Sequence, residues 1–150
     1  ERLRPSRRIL LAGFKRAKDV GFFVRCYYVL TADPQINVAR VASRVSAGGH
    51  GVPTEKIISR YDKALALVHE LVPLCDVCHI YDNSLDAPYR IFKKRKEEYW
   101  YCPERYLWKK DDITALTGVP NAQRASLNIT ELNREEHRVY VAANCFSLKK

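Results

Sequence analysis

Two apolar runs, FFVRCYYVL at 22–30 and CDVCHIYD at 75–82, constrain the fold of this chain more than any other feature. Both are short and bounded by turn residues, and the first is dense in aromatic and β-branched side chains, so both read as strands, the first a buried one. Between them the period changes from two to that of a helix. Ile36, Val38, Ala39, Val41, Ala42 and Val45 suit a helix of about three turns that ends at Gly48-Gly49. Pro53 then opens a second helix over about 54–72, with Ile57, Ile58, Tyr61, Leu65, Val68 and Leu71 on one face, and Pro73 closes it. Ahead of the first strand, residues 6–20 form an amphipathic helix with Ser6 as N-cap and Gly21 as stop. Strands joined by helical crossovers pair in parallel, which predicts an α/β fold with helices flanking the sheet.

Beyond Asn83, PYRIFKKRK and EEYWYCP are expected to pair as a hairpin. PERYLWKKDDITALTG reads as one or two helices, and the last stretch as helical through about residue 144. The organisation expected is a core over 1–90 and, over 91–150, a basic hairpin with a mostly helical extension packed on the same domain. No run of about 18 apolar residues occurs, so no membrane span is predicted. Basic residues interrupt the apolar start and no small-residue cleavage site follows, which argues against a signal peptide and for a cytoplasmic chain.

The net charge of +9 favours an anionic partner or a soluble basic surface. Arg2, Arg4, Arg7, Arg8, Lys15 and Arg16 crowd the start, and Arg90, Lys93, Lys94, Arg95 and Lys96 crowd RIFKKRK. With Tyr99, Trp100 and Tyr101, the second cluster has the cation-and-aromatic mixture that suits single-stranded nucleic acid. No nucleic-acid motif accompanies it, so a basic nucleic-acid-binding module, or a protein-interaction module without catalysis, is the lesser expectation.

The five cysteines, 26, 75, 78, 102 and 145, lack disulfide-framework spacing. CDVCH at 75–79 matches the haem-attachment pattern, but on a strand residues three apart point to opposite faces. No second Cys/His pair stands at zinc spacing. The cysteines are therefore read as small buried apolar residues, with no metal expected.

Arg40 and Arg44 lie four apart on the first crossover helix and share a face; Arg60 lies on the second, across the GGHG turn. Arginine forks match phosphate oxygens and stabilise charge on a transferring phosphoryl group. The alternative is that all three are surface residues paired with Glu55 or Asp62. His50 likewise has two readings, a contact to phosphate or substrate, or a cap bonding backbone carbonyls. His69 and His79 are read as structural and His137 as solvated.

RVASRVSAGGHGVPTEKIISRY resembles the Arg-Val-x-x-Arg-Val-x-x-Gly-Gly-His-x-Val-Pro segment of the zeta-toxin-like ATPases and kinases, with the likeness extending over about residues 8–90. The resemblance implies a P-loop NTPase-type parallel sheet and an ATP-dependent kinase acting on a small-molecule acceptor such as a nucleotide sugar, with an antitoxin-like protein as a further partner. It implies that Arg40, Arg44 and Arg60 face the nucleotide phosphates from a lid, with Arg40 and Arg44 serving transfer. Gly48, Gly49 and His50 would shape the lid turn, and Asp82 and Asn83 would lie near the base. The phosphate loop, Gly-x-x-x-x-Gly-Lys-Ser/Thr, is missing from these 150 residues. The expectation is thus the C-terminal part of such a kinase, inactive alone, with ATP bound and Mg²⁺ held through residues outside this chain.

Overall fold

The computed structural model describes residues 7–102, 107–125 and 147–149. In chain order the elements are α1 (Arg7–Asp19), β1 (Phe23–Leu30), α2 (Pro34–Ser46), α3 (Thr54–Leu74), β2 (Val77–Asp82), β3 (Tyr89–Arg95), β4 (Glu98–Tyr101), α4 (Lys110–Thr117), β5 (Gln123–Arg124) and β6 (Ser147–Lys149). The strands form one mixed sheet in the order β5-β4-β3-β2-β1-β6. The crossover through α2 and α3 makes β1 and β2 parallel, with Cys26 opposite Cys78 and Leu30 opposite Asp82.

The sheet is not parallel throughout. β3 runs antiparallel to β2 and to β4, because the connections there are too short to cross over. The expected hairpin is present, but it extends the main sheet, and residue 90 falls inside β3. Of the expected helical extension, α4 is seen; the stretch expected to be helical up to about 144 lies outside the described residues, as do Ser6, His137 and Cys145.

Helix ends follow local chemistry. Asp33 caps α2, its Oδ1 accepting from the Gln35 N–H at 2.7 Å, and Pro34 occupies the first turn where a missing N–H costs nothing. α3 continues through Pro73 to Leu74, one turn position past the stop expected from sequence. No described helix is long and apolar enough to cross a membrane.

The core lies between the sheet and α1, α3 and α4. Val24, Cys26 and Leu30 of β1 face it, with Cys78 and Ile80 of β2, Ile91 and Phe92 of β3, and Val68, Leu71 and Val72 of α3. β1 is thus buried along alternate residues rather than throughout: Phe23 and Val29 remain 41% and 50% exposed on the opposite face. α2 differs from the other long helices in having no buried residue.

Candidate functional site

At the carboxyl ends of β1 and β2 the chain opens into a cavity of about 460 Å³. Open α/β sheets bind ligands at such strand ends. The floor is Leu30 and Thr31, the walls are α2 and α3, and Arg40, Arg44, Arg60 and Asn83 all line it. None of the described lining residues is a carboxylate. The structure thereby brings together three arginines that the sequence separates by up to twenty positions.

All three are exposed, as surface residues would be, but the ion pairs that reading gave them are not seen among the described residues. The ion pairs among the described residues are Arg7–Glu70 and Lys18–Asp76, so none of the three arginines is bridged to Glu55 or Asp62. Arg40 donates to the Asn83 carbonyl at 2.6 Å, pinning α2 to the end of β2. Arg44 donates a longer bond, 3.2 Å, to the His50 carbonyl. Arg60 is exposed and makes neither kind of contact within the described residues.

The GGHG turn has a physical explanation of its own. Gly48 adopts φ +86° just past α2; its N–H bonds to Val45 O at 2.9 Å, and the Gly49 N–H bonds to Arg44 O at 2.9 Å. These two bonds are the left-handed glycine cap that satisfies the last carbonyls of a helix. At Gly49 a Cβ would stand 2.7 Å from Arg44 Cγ and 2.9 Å from Arg44 O. Side-chain bulk at 49 would therefore push against the segment that carries Arg44 into the cleft. His50 is exposed, and its carbonyl, rather than its ring, meets Arg44.

Tyr28 and Tyr61 line the cavity as neutral donors. Burial pushes the Tyr28 hydroxyl up to about 12, with the nearby Cys26 adding to it, and burial with Asp33, Asp82 and Asp62 raises Tyr61. Tyr61 donates to Thr31 O at 2.8 Å and Tyr28 to Ala64 O at 2.7 Å, fixing α3 over the strand ends. Asp82 is fully buried behind them. Its Oδ1 accepts from the Ser84 N–H at 3.1 Å, while Oδ2 has no partner among the described residues. Asp82 is absent from the cavity lining, and Asn83 is present. A cavity of similar size, about 480 Å³, lies between α3 and α4 beside Leu65, His69 and Trp108, without any arginine. His69 lines that cavity with its ring lying against Gly118.

The basic cluster of β3 departs from expectation. β3 is an inner strand, so its side chains alternate between two faces and do not form one soluble basic surface. Lys94 is buried on the helix side, donating to Val72 O at 2.9 Å and Pro73 O at 3.3 Å at the end of α3, where Val72 O also accepts a long bond, 3.4 Å, from the Cys75 N–H. Tyr99 and Tyr101 pack toward the core, and Trp100 faces the other way, under Lys93 at 5.4 Å. On that other face a cleft of about 330 Å³ is lined by Arg25, Arg90, Lys93, Arg95 and Lys96 together with Phe23, Tyr27 and His79. His79 stacks on Tyr27 at 5.0 Å, and its Nδ1 lies 3.2 Å from Arg90 Nη1. Burial, then Arg90, Lys93 and Arg25, drive its pKa down to about 3, so it is neutral and accepts from Arg90. It is a structural histidine, as read.

The cysteines also depart from the strand argument. β2 begins at Val77, so Cys75 is the C-cap of α3 and escapes strand alternation. Cys26, Cys75 and Cys78 then converge, their sulfurs all within 4.8 Å of one another. Sequence spacing missed this because Cys26 comes from a separate strand.

The fold and the cleft define the chain as a mixed α/β protein with a cationic cavity at its parallel strand ends. Comparison with protein-family models, with curated proteins and with solved structures finds no match to this chain.

Proposed function

We propose that this chain is the lid-bearing segment of a zeta-toxin-like, ATP-dependent kinase, and that the cavity between α2 and α3 receives the phosphates of the nucleotide. The observation that carries the reading is the convergence of Arg40, Arg44 and Arg60 on one cavity with no carboxylate partner for any of them among the described residues. Three unneutralised guanidinium groups beside low-dielectric walls attract a polyanion, and their forks match phosphate oxygens.

Three further features support a lid. α2 buries none of its residues, so it can shift at small cost in apolar burial. Its far end is closed by a compact glycine cap that leaves Arg44 beside the cleft, and Arg40 ties it to Asn83. In this reading Arg40 and Arg44 stabilise charge on the transferring phosphoryl group, Arg60 holds the remaining phosphates, and Asn83 marks the base side with Asp82 behind it. ATP supplies the phosphoryl group when bound, and the acceptor is a small molecule of nucleotide-sugar type. The described lining offers no carboxylate, in keeping with Mg²⁺ held by residues outside this chain.

The test is calorimetric titration of the chain with adenosine, AMP, ATP and inorganic tripolyphosphate at low and moderate salt. Affinity is expected to rise with phosphate count and to fall with salt. Equal binding of adenosine and ATP, or none of either, would remove the proposal.

A second reading, a basic nucleic-acid-binding module, draws on the cleft across the sheet, where Arg25, Lys93 and Arg95 neighbour Phe23 and Tyr27. It requires that a single-stranded oligonucleotide bind more tightly than tripolyphosphate, and that Arg25→Gln with Arg95→Gln weaken it while Arg44→Ala does not.

A further inference from the structure

The three converging cysteines occupy positions that evenly spaced strand residues cannot. Cys26 and Cys78 are direct partners across the β1–β2 pair and both face the helices. Cys75 reaches them from the end of α3. All three are free thiols in the core, 0%, 2% and 1% exposed, and their sulfurs lie mutually within 4.8 Å. A metal–sulfur bond of about 2.3 Å in a trigonal plane sets sulfurs about 4.0 Å apart. The set therefore needs to contract by less than about 1 Å to close on one ion.

A buried cation stands beside this sulfur cluster. Lys94, the β3 partner of Cys78, is 4% exposed, and its ammonium bonds only to carbonyls at the end of α3 within the described residues. Among the described residues no carboxylate pairs directly with it: Asp76, which feels Lys94 only at longer range, is bound by Lys18 at 2.5 Å and by the Val24 N–H at 2.7 Å. A buried charge is stable when its counter-charge is buried with it.

We infer that Cys26, Cys75 and Cys78 form a buried three-sulfur site for one thiophilic monovalent d¹⁰ cation, Cu(I), with Lys94 as its charge partner. Thiolates select soft ions. The described residues offer no fourth donor to the cluster, whereas structural zinc takes four ligands. Two thiolates, one monovalent cation and the Lys94 ammonium sum to zero charge; the third sulfur completes the coordination as a thiol. Loading therefore releases two thiol protons to water, and no electron is transferred. Because the sulfurs are sealed from solvent, the ion enters as the chain folds and leaves slowly from the native state.

The experiment uses the whole chain, refolded anaerobically under reductant with one equivalent of Cu(I) and then challenged with the chromophoric chelator bathocuproine disulfonate. One equivalent of copper is expected to be retained, with near-ultraviolet thiolate-to-copper absorption and a raised melting temperature. Cys75→Ser and Cys78→Ser should each weaken retention by more than about a hundredfold, beyond what a lost outer-shell partner costs. Cys102→Ser, buried but outside the cluster, should retain it. If Cys78→Ser does not fold, judged by circular dichroism, Cys75→Ser at the helix cap decides. The inference is overturned if the chelator strips wild type and Cys75→Ser alike. It is equally overturned if Cys102→Ser loses as much copper, if zinc is retained in preference, or if mass spectrometry finds a disulfide among the three in place of the ion.

Discussion

Arg44→Ala separates a phosphate-binding cleft from a merely basic surface, and the structure sets the size of the effect. In the free chain Arg44 makes one long bond, 3.2 Å to His50 O, which contributes about 0.5 kcal/mol. A charge-assisted contact to phosphate contributes about 1.5–3 kcal/mol. Exchanging one for the other leaves about 1–2.5 kcal/mol of binding, so Arg44→Ala should weaken ATP and tripolyphosphate about 5- to 70-fold. Arg44→Lys should fall between, because an ammonium cannot engage two oxygens in the fork geometry. Stability should move by less than about 1 kcal/mol, since Arg44 is exposed and its main contribution is packing on Gly49. Arg60→Ala, with no partner to lose among the described residues, should lower affinity with no measurable change in unfolding. Arg40→Ala should lower both, because its 2.6 Å bond to Asn83 O also holds α2 in place. Calorimetric titration at low salt gives the affinities, and urea unfolding monitored by fluorescence gives the stabilities. If Arg44→Ala binds tripolyphosphate as tightly as wild type, the cleft is not a phosphate site.

The 150 residues lack the lysine and hydroxyl of a phosphate loop, so the purified chain should show no ATP turnover above a mock preparation in a coupled assay; turnover would refute the division of labour proposed here. Lys94→Met should lower unfolding free energy by about 2 kcal/mol, because it removes the ammonium bonds to Val72 O and Pro73 O and leaves Val72 O only its long bond from Cys75, whereas Lys96→Gln on the exposed turn should stay within about 0.5 kcal/mol in the same urea titration. His79 binds its proton at about 3 in the fold and near 6.5 when unfolded, so the unfolded chain holds more protons between those values. Its contribution to stability is complete above pH 6.5 and is lost as the pH falls toward 3. His79→Phe, which keeps a ring on Tyr27, should flatten the stability–pH slope in that window by up to one proton, and an unchanged slope would show that His79 does not titrate this way.

Local pattern in the sequence was enough for the elements near the site. The two apolar runs became β1 and β2, the helical periods between them became α2 and α3, and the turn residues Asp33-Pro34 and Gly48-Gly49 became a side-chain cap and a glycine cap. Each of these depends on chemistry within a few residues, so a linear reading reaches them. The pairing of Arg40 with Arg44 was legible for the same reason, since both ride one helix face. Tertiary structure alone decided what faces what. It brought Arg60 to the same cavity with no carboxylate in its described lining, mixed antiparallel strands into the sheet, and buried Lys94 out of a cluster that read as a basic surface. It also carried Cys75 off the strand, onto a helix end, and into reach of Cys26 some fifty residues away. Periodicity fixes which side of an element a residue takes, but a site built from several elements exists only once the crossover has folded them against one sheet.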